Sequence, residues 1–167
     1  MKKRILSYMM VLIVAISCTY TYYLIQSPVK EKITIEVGQK SLDISQFLNE
    51  GQNQAVLKTQ LSSQELSTLG EHDITIEVKG KDYVTKVNIV DTRSPIVETQ
   101  NLTLIQNSPI EPEMFIKNII DDTMVNVYFN KKINTHTIGQ QKILLYVKDQ
   151  ANNITKKEVT LTIIASK

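Results

Sequence analysis

Outside its N-terminal stretch this chain contains no cysteine: the single one, Cys18, lies within an apolar segment, so nothing downstream can be crosslinked by an internal disulfide. There is no tryptophan, and only two histidines, His72 and His136, are present. These sit at unequal offsets from the glycines that precede or follow them, Gly70 and Gly139, and neither has a second His, Cys or carboxylate pair at ligand spacing. Both read as surface or strand-end residues. The five glycines form no phosphate-cradling loop and no Gly-x-Ser-x-Gly elbow. No catalytic residue, no cofactor-binding residue and no metal ligand is therefore expected, and the chain reads as a non-enzyme. Charge of one sign is lacking as well. The formal +2 depends on Lys2, Lys3 and Arg4, and without them 16 basic side chains face 17 acidic ones. No basic stripe remains for a phosphate backbone, which argues against nucleic acid as a partner.

What is present begins with 21 uncharged residues, Ile5 to Ile25. As a helix these span about 31 Å, close to the hydrocarbon thickness of a bilayer. The preceding basic cluster places the N-terminus in the cytoplasm, and Tyr20, Tyr22 and Tyr23 fall at the outer interface. The expectation is a single-pass membrane protein: 1–27 as basic stub and anchor, and the remainder extracytoplasmic. Two other routes share the same residues. Val14-Ala15-Ile16-Ser17-Cys18 has the small residue and cysteine of a lipid-attachment site, with Cys18 as the modified residue, and the stretch to Ile16 also fits a cleaved signal peptide giving a secreted form.

The rest repeats itself about 69 residues on. Ile33-Thr34-Ile35-Glu36-Val37 returns as Leu102-Thr103-Leu104-Ile105, Phe47 near Phe115, and Gly70 with Ile74, Ile76 and Val78 as Gly139 with Ile143, Leu145 and Val147. The alternation has the period of half-buried strands. Strands are expected at Lys32–Val37, Ala55–Leu61, Ile74–Val78, Tyr83–Val90, Leu102–Ile105, Val125–Phe129, Lys142–Lys148 and Ile154–Ile164. Short helical turns are expected around Ser45–Asn49 and Glu111–Ile116. Many short strands separated by turn signals argue an all-β fold: two small tandem antiparallel β-sandwiches behind the N-terminal transmembrane helix, with domains at 28–93 and 94–167. Each is small enough that its core must be thin.

The stretch Val90-Asp91-Thr92-Arg93-Ser94-Pro95-Ile96-Val97 resembles the boundary between tandem bacterial immunoglobulin-like surface domains. Tyr146-Val147-Lys148-Asp149 with Asn152-Asn153-Ile154-Thr155 is similar to that family's last hairpin, with Asn152 where glycine is usual. The resemblance, over residues 30 to 165, implies an immunoglobulin-like fold and a spacer or adhesive, protein-binding role in the cell envelope, with other envelope proteins as partners. A different reading is an accessory or sensor module that binds an envelope polymer. Two such sandwiches end to end would reach roughly 70 Å.

Asp121-Asp122 and Asp149 with Asn152 and Asn153 offer oxygens of the kind calcium takes, but turn formation explains them more simply. Asp91 stands as one carboxylate beside Arg93. The aromatics after the anchor, Tyr83, Tyr128, Tyr146, Phe47, Phe115 and Phe129, mostly alternate with apolar neighbours and are expected in the core, which disfavours a sugar-binding platform.

Overall fold

The computed structural model describes residues 27–166 together with Ile16 and Ser17, which are helical. Among these residues no helix is long and apolar enough to cross a membrane. Apart from Ile16 and Ser17, the expected anchor lies outside the described residues, as does Cys18.

From residue 27 onward the described chain is all-β except for one short helix and two 3₁₀ turns. In the first repeat β1 (Lys32–Glu36), β2 (Ala55–Leu57), β3 (Gly70–Val78) and β4 (Lys81–Val90) form a sheet in the order β1-β4-β3-β2. The alternation read from the sequence sets which residues face inward: Ile74, Ile76 and Val78 are at most 3% exposed, as are Val87 and Ile89. Thr85 is the polar member of that buried row, and its hydroxyl donates to the carbonyl of Lys30 at 2.7 Å. Gly80, at φ +78, and Lys79, at φ 52, make the β3–β4 turn, whose left-handed backbone glycine takes without strain.

In the second repeat β5 (Ile96–Thr99), β6 (Leu102–Ile105), β7 (Ile116–Ile120), β8 (Asn126–Phe129), β9 (Gly139–Lys148) and β10 (Ile154–Ile164) form two sheets, β6-β10-β9-β8 and β5-β7. One core joins them: Val97 and Phe115 pack with Val127, Ile143, Leu145, Val147, Val159, Leu161 and Ile163. This is a β-sandwich. Every buried side-chain nitrogen or oxygen among the described residues has a hydrogen-bond partner, as a small core without disulfides requires.

Three expectations need correction. The sheets are not wholly antiparallel, because β6 pairs β10 in parallel, with Leu102 opposite Leu161 and Ile105 opposite Ile164. In the first repeat Lys86 N donates to Glu31 O and Val37 N to Val90 O, with both numbers rising together as in a parallel pair. The equivalent strands β1 and β6 thus lie beside the closing strand of their repeat in the same sense, a long-range pairing that local pattern cannot disclose. The strand expected over Ala55–Leu61 stops at Leu57, and beyond it a one-turn helix that was not expected, α1 (Ser63–Leu66), follows. Its start is a capping box, with Ser62 Oγ accepting from Glu65 N and Ser62 N donating to the Glu65 carboxylate, so the Ser62-x-x-Glu65 spacing was a legible signal. Finally, the aromatics do not all reach the core. Phe47 and Phe115 are fully buried, each ending a 3₁₀ turn, Ile44–Phe47 and Pro112–Phe115, at matching places in the two repeats. Tyr128 and Tyr146 are only half-buried and stack on each other at 5.4 Å, with Lys156 Nζ 5.4 Å from the Tyr146 ring. Their hydroxyls favour the wet face of the sheet.

Contacts gather the described chain into two compact units: one runs to Ile33 and adds Asp43–Gln60 and Asp73–Lys86, and the other comprises Thr34–Leu42, Leu61–His72 and the chain from Val87 onward. In the first, Lys58 Nζ bridges Glu77 and Asp82, each at 2.8 Å, which raises its pKa above the ordinary lysine value. In the second, Thr92 donates to both oxygens of Glu36, from its hydroxyl at 2.5 Å and from its backbone N–H at 3.2 Å. These bonds, with a smaller contribution from Arg93, hold the Glu36 carboxyl below its ordinary 4.5. Asp43 and Glu65 are lowered too, by hydrogen bonds from Ser45 and Ser62. A carboxyl depressed in the folded state adds stability above its unfolded pKa and loses it as pH falls through the folded value. Unfolding in urea at stepped pH should therefore show stability declining below about pH 4.5, and Glu36→Gln should make that decline shallower. An unchanged acid slope in the variant would deny Glu36 this role.

Candidate metal centre

Three of the strands described above end in aspartate on their C-terminal side. Asp91 follows β4, Asp121 follows β7 and Asp149 follows β9. All three belong to the second compact unit, and one carboxylate oxygen from each lies within 4.8 Å of the others. Asp91 and Asp149 are 7% and 4% exposed, and Asp121 is half-buried.

Local hydrogen bonds hold each carboxylate in place. Arg93 N donates to Asp91 Oδ1 at 3.1 Å, and Thr123 N donates to Asp121 Oδ1 at 2.8 Å. The Thr123 hydroxyl lies 3.1 Å from Asp91 Oδ2 and 2.9 Å from Asp121 Oδ1, so its one proton is shared between two acids. Asn153 reaches Asp149 twice, from its backbone N–H at 2.8 Å and its amide nitrogen at 2.7 Å, and that same amide also donates to the carbonyl of Asp91 at 3.0 Å. The hairpin that presents Asn153 turns at Asn152, whose φ of 76 is the left-handed conformation that asparagine tolerates in place of glycine.

The fold separates the adjacent pair Asp121-Asp122. Asp122 is exposed and takes the Arg93 guanidinium at 2.7 Å, while the same Nη2 donates to the Val37 carbonyl at 2.8 Å. Arg93 is thus directed to Asp122 and, at 3.8 Å, to Glu36. Gly38 lies close by at φ +87, where an added Cβ would stand 2.7 Å from Asp122 Oδ1.

The turn role expected for Asp149 and Asn153 is present in these bonds. What the sequence did not convey is that Asp91, read as isolated, joins Asp121 and Asp149. Two unit charges 4.8 Å apart repel by about 3–4 kcal/mol at an effective dielectric of 20. An all-oxygen donor set suits a hard cation such as calcium, though three residues give fewer ligands than the six to eight that calcium takes unless further oxygens join. His72 and His136 lie apart from this cluster: His72 Nε2 is 3.0 Å from the carbonyl of Thr68, and His136 Nδ1 faces Asn107 Oδ1.

No family model matches this chain, and no curated protein matches it. Among solved structures, it is similar to the EC1-2 crystal structure of human protocadherin-24, at 11% identity and a TM-score of 0.34, over 82% of this chain and 95% of that one. It is similar also to the extracellular domain of protocadherin GammaB4, at 10% identity and a TM-score of 0.27, over 83% of this chain and 32% of that one.

Proposed function

We propose that this is an extracytoplasmic protein-binding or spacer module of the bacterial cell envelope, tethered at the membrane by residues 5–25, with immunoglobulin-like domains at 28–93 and 94–167. The observation that carries the binding role is an unpartnered apolar pair. Ile96 on β5 and Ile120 on β7 are cross-strand partners, 66% and 59% exposed. Among the described residues their sheet has only these two strands, and an edge strand is where an extended segment can pair. An extended segment of another protein can add to such an edge, its backbone supplying hydrogen bonds and its side chains covering the isoleucines.

A photo-crosslinking residue in place of Ile120 should yield a specific adduct with an envelope protein in intact cells, and one in place of Val84, 70% exposed on β4, should not. Equal or absent adducts at both positions would remove the docking role. The tether is tested separately. Protease added to protoplasts should remove residues 28–167 and spare the anchor. Palmitate incorporation that disappears in Cys18→Ser would replace the transmembrane tether by a lipid.

A further inference from the structure

Past Phe129 the chain loops from Asn130 to the start of β9, and this loop meets the one that follows β6. Between them lies an open cleft of about 760 Å³, within the range that accommodates a small organic ligand. The two loops are tied together. Asn107 N donates to the Thr135 carbonyl at 2.9 Å, Gln106 donates its side-chain amide to the His136 carbonyl, and His136 Nδ1 donates to Asn107 Oδ1. The walls are therefore held before any ligand arrives, which lowers the ordering cost of binding.

The lining is chemically one-sided. It contains Lys131, Lys132, His136, Asn107 and Tyr128, and no carboxylate. Lys131 and Lys132 are exposed, and neither forms an ion pair among the described residues. With Asn107 Oδ1 occupied by His136, the Asn107 amide nitrogen remains as a donor. Tyr128, backed by its stack on Tyr146, gives a fixed aromatic wall. Positive charge and spare donors without a matching acid call for a ligand rich in anionic oxygen.

We propose that this cleft binds a phosphate ester, with Lys131 and Lys132 on the phosphate and the organic part against Tyr128. Two adjacent monocations match one dianionic group, which a phosphate monoester approaches near neutral pH and a lone carboxylate does not. The volume exceeds what one phosphate fills, so the organic part should add affinity. A nucleic-acid strand is disfavoured because two lysines make no track along a backbone and the chain outside residues 2–4 is near neutral. The proposal stands independently of the tether and of the isoleucine pair.

Calorimetric titration of the full chain in non-ionic detergent tests it. Glycerol 3-phosphate should bind, inorganic phosphate should bind several-fold more weakly, and glycerol should not bind. Lys131→Gln with Lys132→Gln should lower the affinity for glycerol 3-phosphate by at least about tenfold without moving the thermal midpoint, while Lys117→Gln, exposed on β7, should leave it unchanged. Phosphatidic acid vesicles identify the source. Lysine-dependent binding to them as well as to the soluble ester points to a lipid head group, and binding to the soluble ester alone points to a free metabolite. The proposal falls if glycerol binds as well as its phosphate, if the double variant binds as the parent does, if no ester binds at millimolar concentration, or if only a single-stranded oligonucleotide binds.

Discussion

Phe115→Ala is expected to lower the free energy of unfolding by about 3–5 kcal/mol, the range for removing a buried aromatic side chain. Phe115 is fully buried in the core of the second sandwich and meets the Phe129 ring edge-on, with centroids 6.0 Å apart at 85°. It is also the one side chain of its 3₁₀ turn that is buried, so its loss frees the connection into β7 as well as opening a cavity. The compact unit that holds it, roughly 100 residues, has about 5–15 kcal/mol in total, and no disulfide supplements it here. The variant should therefore lose a large part of its stability. Urea denaturation followed by circular dichroism is the measurement, with a lower midpoint at similar slope expected. A loss under about 1 kcal/mol would show that the core closes over the gap.

Asp121→Asn is expected to do the reverse and stabilise the protein in chelator-treated buffer, by about 1–3 kcal/mol once the half-exposure of the site is allowed for. The substitution removes one of three like charges within 4.8 Å. It keeps the acceptor that Thr123 uses, since the asparagine Oδ1 can stand where the carboxylate Oδ1 now accepts at 2.8 Å. Destabilisation in the absence of metal would mean that charge repulsion does not govern this cluster. Calcium added to both proteins gives an independent reading: a rise in the midpoint of the parent alone assigns the cluster to a cation.

Much of the fold was legible because its signal is local. Inward alternation at Ile74, Ile76 and Val78 and at Ile143, Leu145 and Val147 marked the strands, and the matching positions of Phe47 and Phe115 marked the repeat. The short pieces were harder. The strands β5 and β7 have four and five residues with mixed burial, too few to establish a period against the turn signals beside them. The tyrosines were misplaced for a related reason: in β8 and β9 both neighbours of Tyr128 and Tyr146 in sequence lean apolar, and only the pleat shows which face each ring occupies.

The candidate sites lay further from the sequence. Asp91, Asp121 and Asp149 are some thirty residues apart in succession, and each alone is an ordinary strand-ending aspartate. They converge because β4, β7 and β9 each end at this cluster, which no local pattern in the chain encodes. The cleft arises in the same way, from a loop after β6 clamped to a loop after β8 by hydrogen bonds spanning about thirty residues. The sequence by itself determined the all-β class, the duplicated plan and the inward faces of the long strands, because alternation and turn chemistry act between near neighbours. Only the tertiary structure decided the parallel closing pairs, the carboxylate cluster and the basic cleft, because each needs residues far apart in the chain to meet, and that depends on the whole sheet topology.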